Sequence, residues 1–130
     1  QRRAVRPERN VRMASRSTRP ADPPQRQRNA LAPGILGAAA LIAGIPLIGG
    51  EFAIVISFVV AILALIIAWF AIQARQWWWA LPMAAVAVVW NPVYPFSLDQ
   101  PVWMAAHVVG AATFIAAGAL VWVPRAQAAR

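Results

Sequence analysis

Residues 52–72 read FAIVISFVVAILALIIAWFAI, twenty-one residues with a single hydroxyl, Ser57, and no charge. A helix rises about 1.5 Å per residue and the hydrocarbon core of a bilayer is about 30 Å thick, so roughly 20 such residues make one crossing. The stretch predicts a transmembrane helix, and the rest of the chain is read around it. Three further apolar runs occupy residues 31–48, 77–90 and 102–123. The run at 77–90 is short for a crossing, so it has to thin the bilayer or borrow length from residues 91–96. The run at 31–48 follows a long polar tail, and Gly49, Gly50 and Glu51 after it offer no small-residue cleavage site, so it reads as an anchor and not as a cleaved signal. The expected fold is all-α, a polytopic membrane protein with four transmembrane helices.

Composition agrees. Of 130 residues, 61% are apolar and 12% charged, which argues against a soluble monomer. There is no cysteine, which removes disulfides, thiolate nucleophiles and thiolate metal sites together. Arginine supplies all twelve basic residues against four acids, a net charge of +8, and nine of the arginines precede residue 29. If translation began at Met13, five of those arginines and Glu8 would be absent. Residues 1–29 hold almost nothing to bury, with prolines at 7, 20, 23 and 24, and are expected to form a disordered basic tail. Such a tail could attract anionic headgroups or nucleic acid. The favoured expectation is a topology signal without nucleic-acid binding, because the tail lacks aromatics to stack on bases.

The charges also orient the spans. Arginine occurs in the tail, at Arg75 between the second and third runs, and at Arg125 and Arg130 after the fourth, whereas the two other loops carry Glu51 and Asp99. With four spans every arginine lies on one side, which the positive-inside rule makes cytoplasmic. Both termini are then inside, with 125–130 as a short cytoplasmic tail. The tryptophans fit headgroup-level belts: Trp69, Trp77, Trp78, Trp79 and Trp122 towards the cytoplasmic side, and Trp90 and Trp103 beside the external loop.

Apolarity does not drive helices together inside a bilayer, so small residues that permit close approach matter more. Gly37, Ala40 and Gly44 form one such stripe, and Ala106, Gly110, Thr113 and Ala117 another. These faces are expected to meet each other or a second copy. Pro46 and Pro82 are placed near run ends, where lost backbone hydrogen bonds cost least.

Residues 91–101 read NPVYPFSLDQP. Three prolines exclude regular helix, since each also biases its predecessor towards extended geometry. Asn91 suits a helix end, bonding nearby backbone. Pro101 suits the first turn of the last helix, with Asp99 or Gln100 as its cap. Asn91, Pro92, Pro95 and Leu98 form an N-P-x-x-P-x-x-L segment, and Trp103 opens the last helix. In these residues the chain resembles a family of small, uncharacterised bacterial integral membrane proteins, a domain of unknown function, over about residues 52–120. The resemblance implies a multi-pass protein of the bacterial cytoplasmic membrane, and it brings no activity with it. Members of that family tend to carry an acid four residues after the tryptophan, where this chain has His107. The arginine-only, tryptophan-rich composition is similar to that of actinobacterial proteins.

Ionisable residues inside a membrane are functional candidates, and here there is one, His107. It shares a helix face with Trp103, Gly110 and Phe114. It is read either as a ligand-contacting imidazole or, preferably, as a neutral ring bonded to a loop carbonyl. A lone histidine makes no closed metal site. Ser57 and Thr113 are expected to bond their own backbone, and no strand is expected to present a phosphate-binding loop. The chain is therefore expected to hold no catalytic residue, metal or cofactor. The expected role is a structural or interaction component of the membrane, its partners the lipid bilayer and either a homo-oligomer or a larger membrane complex. The alternative is a small oligomeric transporter or ligand-binding membrane protein using His107.

Overall fold

Four helices make up most of residues 26–124, the part of the chain that the computed structural model describes. They are α1 (Leu31–Gly44), which runs on into a 3₁₀ turn (Ile45–Leu47), α2 (Ala53–Gln73), α3 (Trp77–Val89) and α4 (Gln100–Leu120). The all-α reading therefore stands with four helices. Two of them, α2 and α4, are long and apolar enough to cross a membrane, while α1 and α3 are shorter. The readings of residues 1–25 and 125–130 as tails lie outside the described residues.

The expectation of no strand is corrected. Arg26–Gln27 (β1) pairs antiparallel with Val123–Pro124 (β2), so the chain just before α1 and just after α4 meets in a short ladder. The arrangement is up-down-up-down, and α4 packs chiefly on α1 and α3 on α2, with α1 and α2 joining the two pairs.

Glycine sets the α1–α4 contact. A Cβ placed on Gly34 would lie 2.8 Å from both Gly118 Cα and the Phe114 carbonyl oxygen, and one on Gly37 would lie 2.3 Å from the Phe114 ring. Further along, Gly110 faces Leu41 and Gly44 faces His107. The register is thus antiparallel and continuous, and the backbones touch where both residues are glycine. Of the two outcomes read for the small-residue faces, the structure shows them meeting each other. Their membership is corrected too: Gly34 and Gly118 are central, whereas Ala40, Ala106 and Thr113 are only half-buried.

On α2 the buried side is Val60, Ala61, Ala64, Ile67, Ala68 and Ala71, while Phe58, Ile62, Leu65, Trp69 and Ile72 are exposed. Four of the six buried residues are alanines, and large apolar residues line the exposed side as well.

The turns follow local chemistry. Arg75 sits at φ 58° and closes α2 in a Schellman arrangement, its N–H donating to the Ile72 carbonyl at 3.0 Å and that of Gln76 to Ala71 at 2.8 Å. Glycine usually takes that left-handed position, so arginine there is strained. Gly49, at φ 79°, turns the chain between α1 and α2. Pro82 is corrected: it lies past the four N–H groups that a helix start leaves unpaired, so it removes a real donor, the one for the Trp78 carbonyl. Asp99 is the N-cap residue of α4, but its side chain makes no capping bond.

Gly34→Ala tests the contact on which the bundle rests. Backbone, not a flexible side-chain end, stands in the way of the new methyl, so the variant is expected to lose about 1–3 kcal/mol. Thermal unfolding in detergent should show a lowered Tm, with Ala39→Leu on the exposed face of α1 as the silent control.

Candidate functional site

Two helices stop short at the same end of the bundle. Helix α1 ends at Gly44, beside His107, and Trp90, which caps α3, stands beside His107 and Gly110. Helix α4 continues from His107 back to Gln100, about two turns farther. The space left over the ends of α1 and α3 is roofed by the α1–α2 turn and the proline loop. It forms a cavity of about 350 Å³, within the size range of small-molecule sites.

Five of the six residues singled out from the sequence line this cavity: Asn91, Pro92, Pro95, Trp103 and His107. Leu98 does not. The cavity also takes in Gly44, Glu51, Ser57, Trp90 and Phe96, none of which the sequence marked as a site residue. Gly44 belongs to α1 and Ser57 to α2, and nothing local in the sequence ties them to a loop some forty residues on.

His107 is the buried polar residue of the core, 5% exposed. Its Nδ1 lies 2.8 Å from the Trp103 carbonyl oxygen, one turn back in the same helix. The expected loop carbonyl is thus replaced by a helical one. A carbonyl only accepts, so Nδ1 carries the proton and donates, and in the neutral ring Nε2 holds a bare lone pair. Nε2 takes no hydrogen bond among the described residues and is not sealed off from the cavity.

Asn91 has the same arrangement. Its Oδ1 accepts the Val93 N–H at 2.9 Å, an Asx turn that fixes which side of the amide faces the backbone. The NH₂ end is left without a partner among the described residues. Ser57 corrects another expectation. Thr113 does donate to the carbonyl one turn back, Val109, at 2.8 Å. The Ser57 hydroxyl makes no such bond and opens on the cavity instead.

Trp90 was read as a headgroup tryptophan, but the structure buries it to 4% exposure. Its ring meets Trp103 edge-on at 5.8 Å and His107 at 5.4 Å, and Gly110 makes room for its far edge. The indole N–H is sealed from solvent with no partner among the described residues, a state that costs about 1–3 kcal/mol. The burial has a reason: Trp90 is the residue at which α3 is wedged into the α1–α4 pair.

A family model described as a family of unknown function, DUF6804, matches residues 28–119. The chain belongs to that family. The DUF6804 match takes in α1, α2, α3, the proline loop and all but the last residue of α4. It therefore includes the first helix, which the loop resemblance had left out. Neither a curated protein nor a solved structure matches the chain.

Because His107 is the single histidine, its tautomer can be read without assignment ambiguity. Nitrogen NMR of the ¹⁵N-histidine-labelled protein in nanodiscs is expected to show Nδ1 protonated and Nε2 bare in the neutral ring. The opposite tautomer would contradict the bond to Trp103.

Proposed function

We propose that the chain is a four-span protein of a bacterial cytoplasmic membrane, with both ends inside, that binds a small molecule in the cavity at its outer end and performs no catalysis on its own. The observation that carries the binding role is the cavity itself. It is mostly apolar, yet His107, Asn91 and Ser57 line it with bonding capacity left unused among the described residues. An apolar cleft with a few convergent polar groups is the usual form of a ligand site.

Three features support the membrane setting. Every helix exposes large apolar residues, among them Ile35, Leu36, Phe58, Ile62, Leu65, Leu81, Val109 and Ile115, and a bilayer covers such a surface without cost. The β1–β2 ladder and the Arg75 turn are at the end of the bundle opposite Glu51 and Asp99, which agrees with the positive-inside rule. Helices α1 and α3 measure only about 20 Å, and their deficit falls at the cavity end, where residues 45–52 and 91–99 complete the crossing. The rival role of interaction component has less support, because the glycine faces that would serve it are spent on the α1–α4 contact.

The absence of cysteine makes single-cysteine labelling free of background. Ser97→Cys should react with an impermeant maleimide in intact cells and Gln73→Cys only after lysis; early labelling at residue 73 would overturn the orientation.

For the binding role, native mass spectrometry of protein taken from its own membranes in mild detergent should find a small molecule retained. Ser57→Phe, which fills the cavity, should lose it. A bare chain in both preparations would count against the role.

A further inference from the structure

We propose that the occupant of this cavity is an uncharged amphiphile whose polar end is a hydroxyl, donating to His107 Nε2 and accepting from the Asn91 amide. This rests on the binding role above and adds the chemistry of the ligand.

The two side chains are polarised by their own backbone. The bond from Nδ1 to the Trp103 carbonyl leaves His107 an acceptor on the cavity side, and the bond from the Val93 N–H to Oδ1 leaves Asn91 a donor. Neither direction can be reversed without breaking a local bond, since a carbonyl cannot donate and a backbone N–H cannot accept. A fitting ligand therefore supplies a donor for His107 and an acceptor for Asn91. A hydroxyl is the smallest group that does both, and the Ser57 hydroxyl can pair with it in either sense.

Charge narrows the class further. Glu51 is the single charged residue lining the cavity and no arginine lines it, so a carboxylate or phosphate would meet an acid and no cation. An ammonium group would find Glu51, but it offers no acceptor to Asn91. The remaining walls are apolar, with Ile56, Phe96 and Trp103 among them. The volume of about 350 Å³ is near the low end for small-molecule sites. It suits a ring or a short polar head, with any longer tail leaving along the helices.

The full chain in nanodiscs, at a pH where the ring of His107 is neutral, allows a direct comparison of two probes. 4-Octylphenol and 4-octylanisole share ring and tail, but the methyl ether has no proton to donate. The phenol should bind about tenfold more tightly, the equivalent of one hydrogen bond of about 1.4 kcal/mol. It should also move the Nε2 resonance of His107, which the ether should leave in place. His107→Phe should bring the two affinities together, while Asn91→Ala should weaken both, because both probes accept.

The remaining outcomes separate the two claims. Equal affinity in the wild-type protein, with Nε2 unmoved, overturns the hydroxyl assignment and leaves the binding role standing. Tighter binding of 4-octylbenzoate or 4-octylbenzylammonium overturns it in favour of a charged ligand. If none of the four probes binds more tightly than to empty nanodiscs or to Ser57→Phe, the binding role falls as well.

Discussion

Two backbones meet directly in the bundle, α1 on α4 at Gly34 and Gly118. Where no side chain intervenes, the helices come close enough for their main chains to touch, and dispersion acts along a long, well-matched seam. That seam fixes the register. With Gly34 on Gly118 and Gly37 on Phe114, antiparallel geometry carries Leu41 to Gly110 and Gly44 to His107. A slip of one residue would put side chains against side chains and open the pair.

The cavity follows from that register. Once Gly44 is level with His107, the end of α1 lies well below the end of α4, and Trp90 brings α3 to the same level. What remains above is space that only loops can fill, and the prolines at 92 and 95 keep the loop from coiling down into it. Two of the polar groups around this space are half satisfied. His107 and Asn91 spend one atom on nearby backbone and turn the other outward, which gives the wall a defined pattern of donors and acceptors. In the proposed setting that wall lies near the outer headgroups, where an amphiphile can bring a polar end without leaving the bilayer.

Much of the architecture was legible because it is local. Hydropathy separates the helices, the proline loop breaks the chain where the structure breaks it, and His107 stands out as the one ionisable residue on an apolar helix. The errors are informative. Trp90 is indistinguishable in sequence from an exposed tryptophan such as Trp69, and only its place over Gly110 makes it a wedge. Ser57 and Thr113 look alike as hydroxyls inside apolar helices, yet Thr113 donates to the carbonyl one turn back at Val109 while Ser57 makes no such bond and lines the cavity. Pro82 looked harmless from its distance to the helix end, but the count of unpaired N–H groups puts it one turn too deep. The β1–β2 ladder joins residues nearly a hundred apart, and no two-residue strand carries a pattern of its own.

By itself the sequence determined four helices and their breaks, because hydrophobic length and proline geometry act over a few residues. The tertiary structure decided which glycines meet, that Trp90 is buried, and that Gly44, Ser57, Asn91 and His107 surround one space. Those facts depend on the register of α1 against α4, which is set by steric fit between segments some seventy residues apart and has no signature in either segment alone.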